Sequence, residues 1–236
     1  SKSRTEYGEY DYRTRDTQYR WQHDIVLPAG DLSLAYERRE ERLTENAGFA
    51  VTARDTDSAI AVYRLVSGPQ ALQVNVRHDD SSQFGARTTG TLAWGWRFAP
   101  GWRVTASGGT AYKAPTFNDL YFPGYSNPDL DLETARSIEA GLAWSGEAGG
   151  ARIQARATGW INRVRSMIVF MCDASYVCAP QNVDRATLEG ATLTADAAAG
   201  ETTLRASITL QSPTDDATGN LLPRRARTYG SLSALH

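Results

Sequence analysis

Apolar and polar residues alternate along most of this 236-residue chain. From Leu92 the even positions are Leu92, Trp94, Trp96 and Phe98, and the odd ones are Thr91, Ala93, Gly95 and Arg97. After Ala99-Pro100-Gly101 the pattern resumes, with Trp102, Val104 and Ala106 set against Arg103, Thr105 and Ser107. Side chains alternate faces along a β-strand, so each segment has one apolar face and one polar or small face. The same rhythm appears in Tyr19, Trp21, Ile25 and Leu27 (His23 is an exception), in Leu32, Leu34 and Tyr36, and in Leu72, Val74 and Val76. It returns in Ile138, Ala140, Leu142 and Trp144, and in Leu204, Ala206, Ile208 and Leu210. Segment 58–66 is apolar on both sides, which leaves its faces unassigned.

Turn residues punctuate these segments at Pro28-Ala29-Gly30-Asp31, Ser67-Gly68-Pro69-Gln70, Ala99-Pro100-Gly101, 145–150 and Ala199-Gly200-Glu201. Longer polar or irregular stretches fall between, at 44–57, 78–85, before residue 133, around the cysteines and at 212–222. Residues 4–14 read as a strand end near a rim, and Arg224-Arg225 as the opening of a last segment. About twelve strands are predicted, with no helical heptads. Strand, tight turn, strand, long loop is the order of an up-and-down barrel with short turns at one rim and long loops at the other.

Alternation alone fits two architectures. One is a soluble antiparallel sheet with one wet face; the other is a barrel wall with lipid outside and a polar lumen inside. Two features favour the wall. Tryptophans cluster beside a short turn, as in an interfacial aromatic belt, and the pattern recurs through nearly the whole chain. The expected fold is therefore all-β: an antiparallel up-and-down transmembrane β-barrel, present in part. No run of 18 apolar residues exists for a membrane helix. The negative mean hydropathy suits a barrel with polar lumen and loops as well as it suits a soluble domain. Ser1 to Tyr7 lacks the apolar core of a signal peptide, and both ends read as cut.

A net charge of −2 gives no general electrostatic case for nucleic acid. The charged run Glu37 to Arg42 reads as a strand extension above the membrane. Asp79-Asp80 falls short of the six or more oxygens calcium wants and reads as turn-forming. Asp129, Asp131 and Glu133 read as turn caps at a loop-to-strand junction. No nucleophile elbow, zinc-protease helix or phosphate loop occurs, so an enzyme is not expected. The three histidines are scattered and no metal or cofactor is expected. The two cysteines, Cys172 and Cys178, suit a small loop disulfide in an oxidising compartment; two free thiols are the alternative.

Tyr112-Lys113-Ala114-Pro115, Asp119-Leu120-Tyr121, Asn127-Pro128-Asp129-Leu130 and Glu133 resemble the barrel signature of TonB-dependent outer-membrane receptors. Within that family the likeness is to the cobalamin receptors. It extends to Asp79-Asp80-Ser81-Ser82-Gln83-Phe84-Gly85, Ala99-Pro100-Gly101-Trp102-Arg103, Asn182 with Glu189-Gly190, and Leu221-Leu222-Pro223-Arg224-Arg225-Ala226. The resemblance implies a central-to-late section of a twenty-two-stranded, plugged barrel, with residues 1–236 all barrel and the plug, the TonB-engaging motif and the C-terminal strands outside. It also implies uptake of cobalamin or a related corrinoid across the outer membrane, powered through the TonB complex; a siderophore, haem or another ligand is the alternative. Arg224 matches a ligand-contacting arginine of the family, and Tyr121, Phe122 and Tyr125 are the candidate aromatic wall. Lumenal ion pairs for Arg224 and Arg225, and packing between loops for the aromatics, remain the alternative roles.

Overall fold

The computed structural model describes residues 2–7, 10–173 and 175–236. They form a twelve-stranded sheet in which each strand pairs, antiparallel, with the next in sequence. The strands are β1 (Lys2–Tyr7), β2 (Tyr10–Leu27), β3 (Gly30–Glu45), β4 (Ala53–Ser67), β5 (Gln70–Ser81), β6 (Gly85–Ala99), β7 (Trp102–Lys113), β8 (Glu133–Ala148), β9 (Ala151–Cys172), β10 (Cys178–Ala199), β11 (Thr202–Asp215) and β12 (Thr228–Leu235). A five-residue helix, α1 (Phe117–Tyr121), lies in the loop between β7 and β8. Among the described residues β1 and β12 are the edges of the sheet.

Register separates two faces. Leu92 pairs with Val74, Val74 with Tyr63 and Tyr63 with Leu32, so these share one face. On the other half, Leu142 pairs with Ala157, Ala157 with Leu193 and Leu193 with Ile208. That face carries the exposed apolar residues Trp21, Leu92, Trp96, Phe98, Trp102, Ile138, Leu193, Leu204 and Ile208. None of them enters either buried apolar cluster. The opposite face holds Glu37, Arg54, Ser58 and Asp79, all buried. A water-soluble sheet would bury the first set and expose the second; here the polar set is sheltered. The undecided segment 58–66 follows the same rule, with Ala59, Ala61 and Tyr63 outward and Ser58, Ile60 and Val62 inward.

The rim of short turns is tight. Gly101 has φ +75°, and a β-carbon there would stand 2.3 Å from the Ser145 carbonyl oxygen. Ser145 N–H in turn donates to Gly101 O at 2.9 Å. Only glycine fits both demands. Beside this turn Trp94, Trp96, Phe98 and Trp102 form a ladder of rings with successive centroids 6.4, 5.7 and 6.4 Å apart. These rings mark the level at which the wall leaves the lipid.

Several predicted boundaries shift. Half of the stretch 44–57 is strand, because β3 runs to Glu45 and β4 starts at Ala53. Residues 4–14 belong to two paired strands, β1 and β2; Gly8 and Glu9 lie outside the described residues. Arg224 and Arg225 precede the last strand, which opens at Thr228. His23 keeps the outward alternation and stacks on Trp21 with ring planes 2° apart. At the far rim Cys172 and Cys178 are disulfide-bonded, closing the loop between β9 and β10. Asp173 Oδ1 accepts from Ser175 N–H and Val177 N–H at 2.8 and 2.9 Å, which orders the same loop. Breaking the disulfide by Cys172→Ser removes a restraint of about 2 kcal/mol. Cleavage by chymotrypsin at exposed Tyr176 on intact cells is expected to accelerate by roughly an order of magnitude.

Candidate functional site

The inner wall near the long-loop rim carries a connected polar network. Register aligns Glu37, Ser58 and Asp79 across β3, β4 and β5. Arg77 reaches between them, with Nη2 2.9 Å from Glu37 Oε1 and Nε 2.7 Å from Asp79 Oδ1. Ser58 Oγ donates to Asp79 Oδ1 at 2.5 Å, and Tyr112 Oη donates to Asp79 Oδ2 at 3.0 Å. Glu37, Ser58 and Asp79 are 5%, 2% and 3% exposed, so each buried oxygen needs these partners. The expectation that Asp79 sits in a turn is thereby corrected. β5 continues through Ser81, and strand parity sends Asp79 inward and Asp80 outward. Two adjacent aspartates imitate a turn in sequence but serve opposite faces in a strand.

Next to this network Arg54, 7% exposed, forms a fork. Its Nε and Nη2 bind the two carboxylate oxygens of Glu41 at 2.7 and 3.1 Å, and Nη1 donates to the Pro115 carbonyl at 3.0 Å. Its guanidinium lies over Phe84 and Phe117, 5.6 and 5.2 Å from their centroids. The loop 114–132 is rooted here. Thr116 caps α1: its Oγ1 accepts from Asp119 N–H at 3.1 Å, while Asp119 Oδ2 accepts from Thr116 N–H at 2.9 Å. Phe117 then packs with Leu43 and Phe49. The loop's far end is held at β9 and β10. Asn182 Oδ1 accepts from Asp131 N–H at 2.8 Å, and its Nδ2 donates to Asp131 O and Ser166 O at 3.2 and 2.6 Å. Glu133 Oε1 accepts from Lys113 Nζ and Ile168 N–H at 3.1 and 3.0 Å. Asp129 N–H bonds to Asn127 Oδ1 at 3.0 Å. The loop is therefore pinned at both ends and bridges the rim from β3–β4 to β9–β10.

The predicted aromatic residues stand on this bridge. Tyr121 ends α1 and accepts from Gln83 Nε2 through its hydroxyl at 2.8 Å. Phe122 packs edge-on against Phe49 at 6.0 Å and beside Tyr125 at 6.5 Å. Tyr125 alone of the three is well exposed, at 57%. The structure brings these three together. Arg224 lies on a different loop, between β11 and β12, exposed and with φ +58°. No ion pair is formed by Arg224 or Arg225 among the described residues; Arg225 Nη2 lies 3.8 Å from Met167 Sδ.

Sequence reasoning missed the cavity below the bridge. It measures about 490 Å³ and is lined by Arg39, Glu41, Arg77, Asp79, Tyr112 and Lys113 among others. None of Arg224, Tyr121, Phe122 and Tyr125 lines it. The signal was available in the inward parity of Glu37, Arg39 and Glu41, but a mixed-charge run also reads as a solvated strand. Outside the wall the run does behave that way: Arg38 pairs with Glu40, Asp55 and Asp57 at 3.0, 3.2 and 3.1 Å. At the strand tip the Arg42 guanidinium beside Asp55 holds its carboxyl below the usual carboxylate range.

Comparison with known proteins gives this wall a family. Residues 2–236 match the family described as TonB dependent receptor-like, beta-barrel. A protein of Vibrio vulnificus (strain YJ016) named "Vitamin B12 transporter BtuB" is 29% identical over 210 residues, covering 87% of this chain and 34% of that protein. Its namesake in Photobacterium profundum is 30% identical over 197 residues, covering 80% and 31%. The chain thus spans about a third of the length of these relatives. The crystal structure of the siderophore receptor PirA from Acinetobacter baumannii superposes with a TM-score of 0.73 at 16% identity, over 95% of this chain and 40% of that one. That likeness establishes the fold. With the outward apolar face, the inward polar network and a family match along nearly its whole length, the chain belongs to the TonB-dependent receptors of the outer membrane and forms part of their β-barrel wall.

Proposed function

We propose that the chain is the central-to-late barrel section of a receptor that takes up cobalamin, or a related corrinoid, in a TonB-dependent manner. The observation that carries this reading is the 29–30% identity, over 80–87% of the chain, to proteins named as vitamin B12 transporters. The unpaired edges of β1 and β12 support further strands outside this chain, because an open edge in hydrocarbon leaves backbone groups that cost several kcal/mol each. A plug in the lumen and a partner that transmits energy from the inner membrane complete the proposal.

The rim supplies what a large, partly polar ligand requires: aromatic surface and a few placed donors. Tyr125 offers an exposed ring. Arg224 is held in a left-handed backbone conformation with an exposed side chain, a strained geometry that suits a residue aimed at something outside the fold. Phe122 packs beside Tyr125, with ring centroids 6.5 Å apart.

Cells carrying the complete gene are expected to bind radiolabelled cobalamin saturably, with unlabelled cobalamin competing and a ferric siderophore or haem not competing. Competition by the latter only would replace the corrinoid reading. In the same receptor Arg224→Ala is expected to weaken cobalamin binding by about tenfold, the value of one charge-assisted hydrogen bond. Unchanged affinity removes Arg224 from the site.

A further inference from the structure

We propose that the lumenal face of the wall, where β6, β7 and β9 approach the short turns, grips an acidic segment of the receptor's own lumen-filling plug through Arg97, Arg103 and Arg156. Their neighbours fix the side. Arg97 follows outward Trp96, Arg103 follows outward Trp102, and Arg156 precedes Ala157, which is in register with outward Leu142 and Leu193. Successive side chains alternate faces, so all three arginines point into the lumen. Arg103 shows it by contact as well. Gly95 lies between the outward rings of Trp94 and Trp96, and a β-carbon on Gly95 would stand 2.6 Å from Arg103 Nη2.

Their charges go unanswered within the wall. Arg97 is the direct cross-strand partner of Arg103, and like charges set opposite each other destabilise a strand pair. Arg156 stands in the same row, two strands from Arg103 through Ala143, or about 10 Å. All three are exposed, and among the described residues none makes an ion pair or a side-chain hydrogen bond. They line a depression of about 590 Å³ whose one lining carboxylate, Asp196, is taken by Arg205 Nε at 3.2 Å. The other end of the same inner face is arranged differently. There Arg39 pairs with Asp16 and Glu41, Arg54 with Glu41, and Arg77 with Glu37 and Asp79. The wall thus neutralises itself near the long loops and leaves three guanidinium groups bare near the short turns. Whatever answers them has to be present at rest, because the facing pair destabilises the folded wall at all times. A ligand in transit leaves, whereas a carboxylate built into the receptor stays. Guanidinium groups hold carboxylates in forked, charge-assisted pairs. The chain spans about a third of its relatives' length, so most of such a receptor lies outside it. The plug is the one proposed above; the identity of the ligand does not enter.

The test uses the full-length receptor, purified in non-ionic detergent without ligand. Arg97→Lys, Arg103→Lys and Arg156→Lys keep the charge and supply an amine that a water-soluble carbodiimide joins to a carboxylate in contact with it. Mass spectrometry of the digest is expected to find the new amides on Asp or Glu residues of the plug. Arg205→Lys serves as reference and is expected to join Asp196. Neutralisation gives a second reading. Arg103→Gln is expected to raise about fivefold the fraction of receptors that conduct ions across a planar bilayer at moderate urea, in line with the loss of one solvated ion pair. Arg38→Gln, on the outer face, is expected to leave that fraction unchanged. Amides formed only with carboxylates of the barrel, or none while Arg205→Lys reacts, overturn the proposal. So does loss of the plug amides in excess inorganic phosphate, which would mark a simple ion site. Cobalamin binding by the lysine variants is measured alongside: if it persists while the plug amides fail to form, this docking surface falls and the proposed function stands.

Discussion

Asp79→Ala in the full-length receptor is expected to lower the stability of the barrel by about 3 kcal/mol, read as a fall in the temperature at which it loses its compact mobility on a heated gel. Asp79 accepts from Arg77, Ser58 and Tyr112, and Arg77 also holds Glu37. Deleting the carboxylate leaves Arg77 Nε, the Ser58 hydroxyl and the Tyr112 phenol without their acceptor in a site where Ser58 and Glu37 are nearly solvent-free. The Arg77 side chain keeps 35% exposure, so water repays part of the loss, and the expected figure sits at the low end for a broken buried pair. Tyr112 is itself half-buried, so water replaces its lost acceptor only in part. Asp79→Asn keeps the shape and a carbonyl acceptor but not the charge, and is expected to fall between wild type and alanine. A melting profile for Asp79→Ala that overlays the wild type would show that this network does not hold the wall together.

That network also shows where the sequence is legible and where it is not. Alternation gave most of the strands and grouped their residues by face, because a period of two is a local property that survives without knowledge of the partner strand. Trp94, Trp96 and Phe98 could be set on one face from their spacing, and turned outward only with the clustering of tryptophans beside the turn. Asp79 could not be placed. Its role depends on Ser58 and Glu37, which are 21 and 42 residues away in sequence and meet it only through the registers of β4 with β3 and β5. The same holds for Arg54, whose partner Pro115 lies 61 residues on. α1 escaped notice because five residues are too few to show helical periodicity, although Thr116 and Asp119 carry a capping signature. The aromatic trio Tyr121, Phe122 and Tyr125 was legible as a group, because its members are near neighbours in sequence. Arg224 came from motif resemblance, and its backbone conformation became visible only in three dimensions.

Arg54 is where wall and loop are joined, and Arg54→Ala is expected to separate them. The change leaves Glu41 and the Pro115 carbonyl without their donor and removes the cation between Phe84 and Phe117. The foot of the loop 114–132 then loses its strongest tie, while the Asn182 clamp at the other end persists. A bridge held at one end samples many conformations, so the ring of Tyr125 is no longer presented at a fixed place. Under the proposed function, cobalamin capture is expected to fall by roughly 30- to 100-fold, which corresponds to losing about 2–3 kcal/mol of preorganisation. Chymotrypsin on intact cells is expected to cut at Tyr121 to Tyr125 faster than it does in the wild type. Arg54→Lys retains the charge but not a fork able to hold Glu41 and Pro115 together, so it is expected to recover only part of the binding. Asn182→Ala frees the opposite end and is expected to give the same cleavage with a smaller loss of capture, since α1 and the Phe49–Phe122 contact remain in place. If Arg54→Ala binds cobalamin normally with its loop still protected, the bridge is held by the Phe117 cluster alone and the guanidinium is incidental to it.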